Sequence, residues 1–472
     1  MSLNLIGDRN KFFLIFVFAC GASIVILPYA SSFPSLIVED DGFFYAKIAQ
    51  NIASMGVSTF DGLNETSGYH LLWMGILSIV AWLASWGYNA QEFALFCFLV
   101  ASFSVIFIYS VVFFQQGESR LLAIVLSLIC SLLTEVNILV LFLLIFYSWF
   151  LKESGREAKA APWSVLIAVA AIPLTRIDSL VMIILPLVYL FVKNRKVAIA
   201  LSVAVVLGVS LQLLIMWAAF DNFFSVSSML KTSELTSHFE SNFLRRGFDY
   251  TVRNIIAISF LLTAIVLGIY RKNWRILAIA LSVSWFYCAH LFLSDQRHWY
   301  FLPVYLPILF CILNQATNMP RFKTILSHAS ILASVVLMLA FGLAYQLMRV
   351  DDRINSSYFA KMANNILNEE DIVFQVDGSG WTGFFIQAHI VNGDGLVNSY
   401  DYARRLERGY LAGYLDEIGA KYILVNKPSR DGYIVNIGGL KVEPKDVEAV
   451  LKSPLATNYR YAQFVLYERT RP

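Results

Sequence analysis

The sequence predicts a polytopic α-helical membrane protein with a small soluble-type unit at its C-terminal end. Three observations carry that expectation. Only 15% of the 472 residues are charged and 58% are hydrophobic, against about 25% charged in an ordinary soluble protein. Apolar runs of about 15–24 residues recur with short polar loops between them, the length a helix needs to cross a bilayer. Past about residue 350 that pattern stops, and a mixed, charged, Gly-containing segment follows. One large soluble globule is excluded. The formal net charge of +3 gives no reason to expect a nucleic acid partner.

The runs fall at about 12–30, 70–86, 92–114, 120–134, 136–151, 163–176, 178–193, 197–219, 253–270, 274–293, 299–315 and 325–347. The first follows a short charged stretch and shows no small-residue cleavage site, so it predicts a retained helix rather than a removed signal peptide. Cys20, Cys97, Cys130, Cys288 and Cys311 all lie in apolar runs without metal-ligand spacing.

Lys/Arg bias in short loops sets the orientation. Arg9 and Lys11 put the N-terminus in the cytoplasm and the loop 31–69 outside. Basic loops carrying Lys152, Arg156 and Lys159, then Lys193, Arg195 and Lys196, then Arg271, Lys272 and Arg275, then Arg321 and Lys323, are cytoplasmic in the same scheme. The turn Arg176-Ile177-Asp178, the loop 220–252, the turn Ser294–Trp299 and the C-terminal segment then lie outside. Glu135 must be outside too, because the run 136–151 descends into a cytoplasmic loop. An even number of crossings must separate it from the loop 31–69, yet three runs lie there. One of them, the short 120–134, therefore does not cross fully or merges with a neighbour. The expected count is about eleven spans, with thirteen as the upper figure.

Glu39-Asp40-Asp41 follows the first run closely. Anchoring needs no carboxylates, so three acids at a membrane surface beside a polar loop are candidates for chemistry on a lipid-carried substrate. Phe44, Ile48 and Ile52 form one stripe of a helix that begins at the acids, with Lys47 and Asn51 beside it. That pattern fits a helix lying in the interface plane. Acids in its first turn also suit the helix dipole, so capping is the competing reading for Asp40 and Asp41. His70 is either an interfacial amphipath or a phosphate donor. Arg176 and Asp178 interrupt two apolar runs, where each charge costs roughly 2.5–3.5 kcal/mol unless it pairs or faces a cavity. They form either a structural pair or part of a phosphate site. The turn Gln296-Arg297-His298-Trp299-Tyr300 suits bidentate phosphate binding or an interfacial anchor belt. Lys231 is a third cation on this side, for substrate or simply solvated. The candidate catalytic residues are Asp40, Asp41 and Glu135. The candidate donor-phosphate or substrate residues are Lys47, Tyr69, His70, Arg176, Asp178, Lys231, Gln296, Arg297 and Tyr300.

At these residues the chain resembles the GT-C superfamily of polyprenyl-phosphate-sugar-dependent membrane glycosyltransferases, among them protein O-mannosyltransferase-like proteins and lipid A aminoarabinose transferases. Asp40-Asp41 with Tyr45-Ala46-Lys47-Ile48-Ala49 resembles the acidic start of a juxtamembrane helix in their first outer loop. Tyr69-His70-Leu71-Leu72-Trp73 takes the place of the basic residue that closes that loop, with Leu71 where Pro is usual. Thr134-Glu135 matches a second acidic position, and Thr175-Arg176-Ile177-Asp178 an Arg-x-Asp turn. Gly393–Asn398 with Lys421–Val425 resembles their C-terminal outer domain. The resemblance implies a GT-C fold of about 11 (11–13) transmembrane helices, with a catalytic domain over 1–350 and a periplasmic α/β domain over 351–472. It implies inverting transfer of a sugar from undecaprenyl or dolichyl phosphate. The acceptor would be an envelope glycolipid, polysaccharide or protein at the outer face of a bacterial inner membrane. By carry-over, Asp40 is the general base. Asp41 and Glu135 support it, position the acceptor or bind a divalent cation (Mg, Mn or Zn). His70, Arg176 and Arg297 neutralise the departing phosphate.

In the C-terminal segment, Asp371–Val376, Tyr422–Val425 and Gln463–Tyr467 predict buried strands. Tyr400–Ile418 predicts an amphipathic helix and Pro444–Leu451 a shorter one. Gly378-Ser379-Gly380 after a strand suggests a nucleotide loop without the fuller fingerprint. An acceptor-binding or lid domain is the expectation by analogy. The competing function is a transporter or flippase of a polyprenyl-linked glycan or lipid. Transporters place charges near the bilayer midplane and often repeat their halves. Here the charges lie at the outer ends of runs, and the sequence shows no repeat.

Overall fold

A computed structural model describes residues 9–32, 38–85, 91–114, 119–120, 123–124, 126–127, 132–152, 160–231, 248–293, 298–316, 358–426, 432–452 and 464–470. The apolar part comprises α1 (Arg9–Ser32), α2 (Asp40–Met55), α3 (Leu71–Ser85), α4 (Gln91–Phe113), α5 (Val136–Lys152), α6 (Trp163–Thr175), α7 (Val181–Lys193), α8 (Arg195–Phe220), α9 (Phe248–Tyr270), α10 (Trp274–Leu293) and α11 (Leu302–Ala316). Among the described residues, Gln91–Phe113, Arg195–Phe220 and Trp274–Leu291 are long and apolar enough to cross a membrane, and shorter apolar helices accompany them. The run 325–347 and most of 120–134 lie outside the described residues.

Exposure sorts the helix faces. α8 buries Val197, Ala198, Leu201, Ala204 and Gly208 but leaves Val203, Val206, Leu207, Leu211 and Leu214 exposed. An exposed apolar face of that length marks a membrane contact. Gly208 lets α8 approach α6 closely, because a Cβ there would clash with the Ala170 carbonyl. Small residues at such crossings are what membrane helices use to pack backbone to backbone. Between α6 and α7 the chain passes through Arg176, extended at φ −157°, and a 3₁₀ turn (Ile177–Leu180). The charged turn thus sits where two apolar helices end, as the sequence predicts.

α2 starts at the acids and ends at Gly56, whose φ of 72° is a left-handed cap that glycine adopts without a Cβ penalty. It is not a helix lying free in the interface. Phe43, Phe44, Tyr45, Ala46, Ile48 and Ala49 are all buried. One side packs on α3 and another on α12 (Ser379–Phe385) of the C-terminal unit. The helix expected in the interface plane is covered by a second layer.

That layer is an α/β unit. Its strands are β1 (Ile372–Gln375), β2 (His389–Asn392), β3 (Tyr422–Val425), β4 (Val435–Ile437), β5 (Leu440–Val442), β6 (Val447–Lys452) and β7 (Val465–Arg469), with α12, α13 (Tyr400–Arg408) and α14 (Tyr414–Glu417). The main sheet runs β2-β1-β3-β7-β6, and β4–β5 form a separate hairpin. β1 is parallel to β2 and β3, while β3, β7 and β6 pair antiparallel. α12 is the crossover from β1 to β2. Two expectations are corrected here. Tyr400–Ile418 is not one helix, because Gly409 (φ 72°) and Gly413 (φ 79°) break it in left-handed conformations. Pro444–Leu451 is not a helix either. A 3₁₀ turn over Pro444–Asp446, closed by reciprocal Glu443 and Asp446 hydrogen bonds, leads into β6, which pairs with β7. Ladder hydrogen bonds override the local helical pattern there.

Candidate active site

Where α6 ends and α5 begins, three charges meet. Arg176 Nη1 donates to Glu135 Oε1 at 2.8 Å, and its Nη2 and Nε donate to the two Asp178 oxygens at 2.6 and 3.1 Å. His290 Nε2, from α10, lies 3.1 Å from Asp178 Oδ2. The Tyr300 ring lies 4.5 Å from the guanidinium, a cation–π contact. Glu135 and Arg176 are 2% and 5% exposed, so neither charge would persist without the other. Burial pushes both carboxyls up. For Glu135, His70 and Arg176 outweigh it; for Asp178, Arg176 and His290 do, and both acids are held below the usual carboxylate range. The structural-pair reading of Arg176 and Asp178 is realised, with Glu135 as a third member.

Tyr45 joins this cluster to α2. Its hydroxyl donates to Glu135 Oε2 at 3.1 Å and lies 2.5 Å from His70 Nδ1. A phenol has one proton, so with that proton on Glu135 the oxygen accepts from Nδ1–H. The hydrogen-bond network therefore assigns the His70 proton to Nδ1 and leaves Nε2 a lone pair. Burial pushes His70 down to about 4, which keeps the ring neutral near pH 7. Sequence reasoning missed Tyr45. The available signal was its spacing, four residues after Asp41 on one helix face.

These groups border one cavity. Asp41, Phe44 and Tyr45 come from α2, and Gly68, Tyr69 and His70 from the end of the loop. Glu135, Arg176, Trp299 and Tyr300 form the membrane side. Ser227 and Lys231 come from a helical segment at 226–231, and Leu396 and Val397 from the C-terminal unit. Of the expected residues, Asp41, Tyr69, His70, Glu135, Arg176, Lys231 and Tyr300 share this space. Asp178 binds Arg176 from outside the lining. Lys47 does not line the cavity, because residues 41, 44 and 45 carry the facing side of α2. Burial depresses the Lys47 pKa. Gln296 and Arg297 lie outside the described residues.

Asp40, expected as the proton acceptor, faces away from the cavity. Its two oxygens accept the backbone N–H groups of Gly380 and Trp381 at 3.0 and 3.1 Å. Burial, reinforced by Asp41 and Asp394, pushes its carboxyl up to about 7 against the pull of those donors. The Gly378-Ser379-Gly380 stretch, which lacks the fuller nucleotide fingerprint, leads into a turn that holds a carboxylate of the same chain. The divalent-cation set Asp40, Asp41 and Glu135 does not converge either. Asp40 turns to Gly380 and Trp381, while Glu135 turns to Arg176 and Tyr45. Among the described residues, no group of three or more His, Cys, Asp or Glu is placed to hold a metal ion.

No protein-family model matches the chain, and no curated protein matches it. Among solved structures it is similar to ArnT from Cupriavidus metallidurans, bound to undecaprenyl phosphate. The identity is 13% and the TM-score 0.48, over 99% of this chain and 98% of that one. No residue role is carried across at that level of likeness.

Proposed function

We propose that the chain is an inverting glycosyltransferase that moves a sugar from a polyprenyl-phosphate donor to an envelope glycolipid, polysaccharide or protein. The reaction would take place at the outer face of a bacterial inner membrane, with residues 1–350 as the membrane catalytic part and 351–472 as a periplasmic cover. One observation carries the reading: a carboxylate, Asp41, shares a cavity at the helix ends with His70, Arg176 and Lys231. Transfer from a phosphate ester needs a base on the acceptor hydroxyl and positive charge on the leaving oxygen. Asp41 takes the acceptor proton as the acceptor oxygen bonds to the anomeric carbon. The bond from that carbon to the phosphate oxygen breaks, and its electron pair leaves with the lipid phosphate. Arg176, held by Glu135 and Asp178, and Lys231, exposed on its segment, are the cations that face the phosphate. The neutral His70 accepts at Nε2 while Tyr45 fixes Nδ1–H.

The test has two parts. Mass spectrometry of lipopolysaccharide and envelope proteins from a deletion strain should reveal one missing sugar. With that substrate, Asp41→Asn in purified protein should abolish transfer and retain binding of undecaprenyl phosphate. Full transfer by that variant would sink the assignment of Asp41.

A further inference from the structure

Asp40 neighbours the proposed base and yet is absent from the cavity, and its surroundings explain why. Its carboxylate joins two stretches of chain 340 residues apart, through the N–H groups of Gly380 and Trp381. Around that junction the surfaces are cut to fit. A Cβ on Gly380 would clash with the Asp40 carbonyl, and one on Gly383 would clash with the Phe60 ring. Phe43 of α2 packs on Phe384 and Phe385, with ring centroids 5.5 and 5.6 Å away. Nearby, His389 Nδ1 lies 2.6 Å from the Asp61 carbonyl oxygen. Beyond this seam the same unit supplies the cavity roof, Leu396 and Val397, which rests directly on Gly68.

We infer that Asp40 is a positioning residue: it clasps the C-terminal unit to the start of α2 and so sets the roof of the cavity above Asp41. The clasp is made of backbone donors, so it depends on an acceptor oxygen at position 40 and not on a group that exchanges protons with substrate. An amide keeps one acceptor oxygen and sets its NH2 donor against the other N–H, and a methyl keeps none. Removing both leaves two buried N–H groups unmatched, each costing about 1–3 kcal/mol. The inference rests on the glycosyltransferase reading only for its effect on activity; the clasp itself is read without substrate.

Hydrogen exchange of the full-length protein in detergent, followed by mass spectrometry, tests it. Asp40→Ala should speed exchange about tenfold or more in the segment 379–386 and also in the roof segment 393–398. Asp41→Ala should change neither. Gly380→Ala, which keeps Asp40 but forces α12 away, should reproduce the Asp40→Ala pattern. This second route also covers an Asp40→Ala protein that fails to fold. Unchanged exchange at 393–398 in both variants would reduce Asp40 to a local cap and overturn the inference, as would equal loosening by Asp41→Ala. Once a substrate is in hand, Asp40→Asn should keep within about tenfold of full transfer, whereas Asp40→Ala loses far more. Asp40→Asn as inactive as Asp40→Ala, with slow exchange in both segments, would return Asp40 to the role of base. If the substrate assay fails altogether, the exchange pattern still decides the clasp.

Discussion

On the membrane side of the cavity, Glu135 is buried against Arg176, Asp178 pairs with the same guanidinium from a more exposed position, and each carboxylate is held ionised by charge. On the side of the C-terminal unit, Asp40 and Asp394 are half-buried, and backbone N–H groups bind them: Gly380 and Trp381 for one, Leu396 for the other. Both of these acids are raised to about 7, burial being the main cause in each. The difference teaches how the two sides of the cavity hold acids that lie wholly or partly out of water. A guanidinium makes ionisation permanent, whereas amide dipoles only make it affordable near neutrality. Breaking the first wall should therefore leave naked charge; breaking the second should leave unmatched dipoles and a looser fit.

The largest expected effect lies between the walls. Asp41→Asn should lower transfer by about two to four orders of magnitude, the range for loss of a general base, with little change in melting temperature. Next comes the membrane wall. Arg176→Met strands the buried Glu135 and should cost about 3–5 kcal/mol, read as thermal unfolding in detergent. A loss no larger than that of a surface substitution would mean that acid is not ionised. The roof should be gentler. Gly68→Ala drives a Cβ into the Leu396 carbonyl and should cost about 1–3 kcal/mol, typical of overpacking, seen by the same melts.

The smallest effect separates the walls by sign. His70 is held at about 4, below its unfolded value of about 6.5. The unfolded chain takes up that proton first, so the membrane wall loses stability as pH falls from about 6.5 to about 4. Asp40 and Asp394 are held at about 7, above the unfolded value of about 3.9. Here the folded chain takes up the proton first, so the roof gains stability as pH falls from about 7 to about 4. Asp40→Asn removes one of those gains. Its melting temperature should drop further below that of the unsubstituted protein as pH is lowered from about 7 to about 5. A constant offset across that range would erase the contrast.

Much of the membrane wall was legible in the sequence. Charges are costly inside apolar runs, so Glu135, Arg176 and Asp178 stand out, and orientation counting puts them on one side with His70 and Lys231. Of these, His70, Glu135, Arg176 and Lys231 border the cavity, and Asp178 holds Arg176 from outside its lining. The roof was not legible. Which of Asp40 and Asp41 faces the cavity depends on a contact with Gly380 and Trp381, and nothing local in residues 39–45 encodes that partner. The same holds for α2, whose amphipathic stripe describes one buried face but cannot reveal that a second layer covers another. Pro444–Leu451 failed for a related reason: pairing with β7 decided its conformation, and β7 lies beyond it in the chain.

The position of Leu396 and Val397 in the chain has a consequence for biosynthesis. Asp41, His70, Glu135 and Arg176 are all made and inserted before α11 is complete, while the roof follows about 80 residues later. At about 5–20 residues per second, the ribosome leaves the lower half of the site uncovered for roughly 4–16 seconds in every molecule made. A nascent chain stalled in that interval carries its acids and cations without the cover that would confine a reaction. The cover arrives only once the segment carrying Leu396 and Val397 has been made and folded onto Gly68.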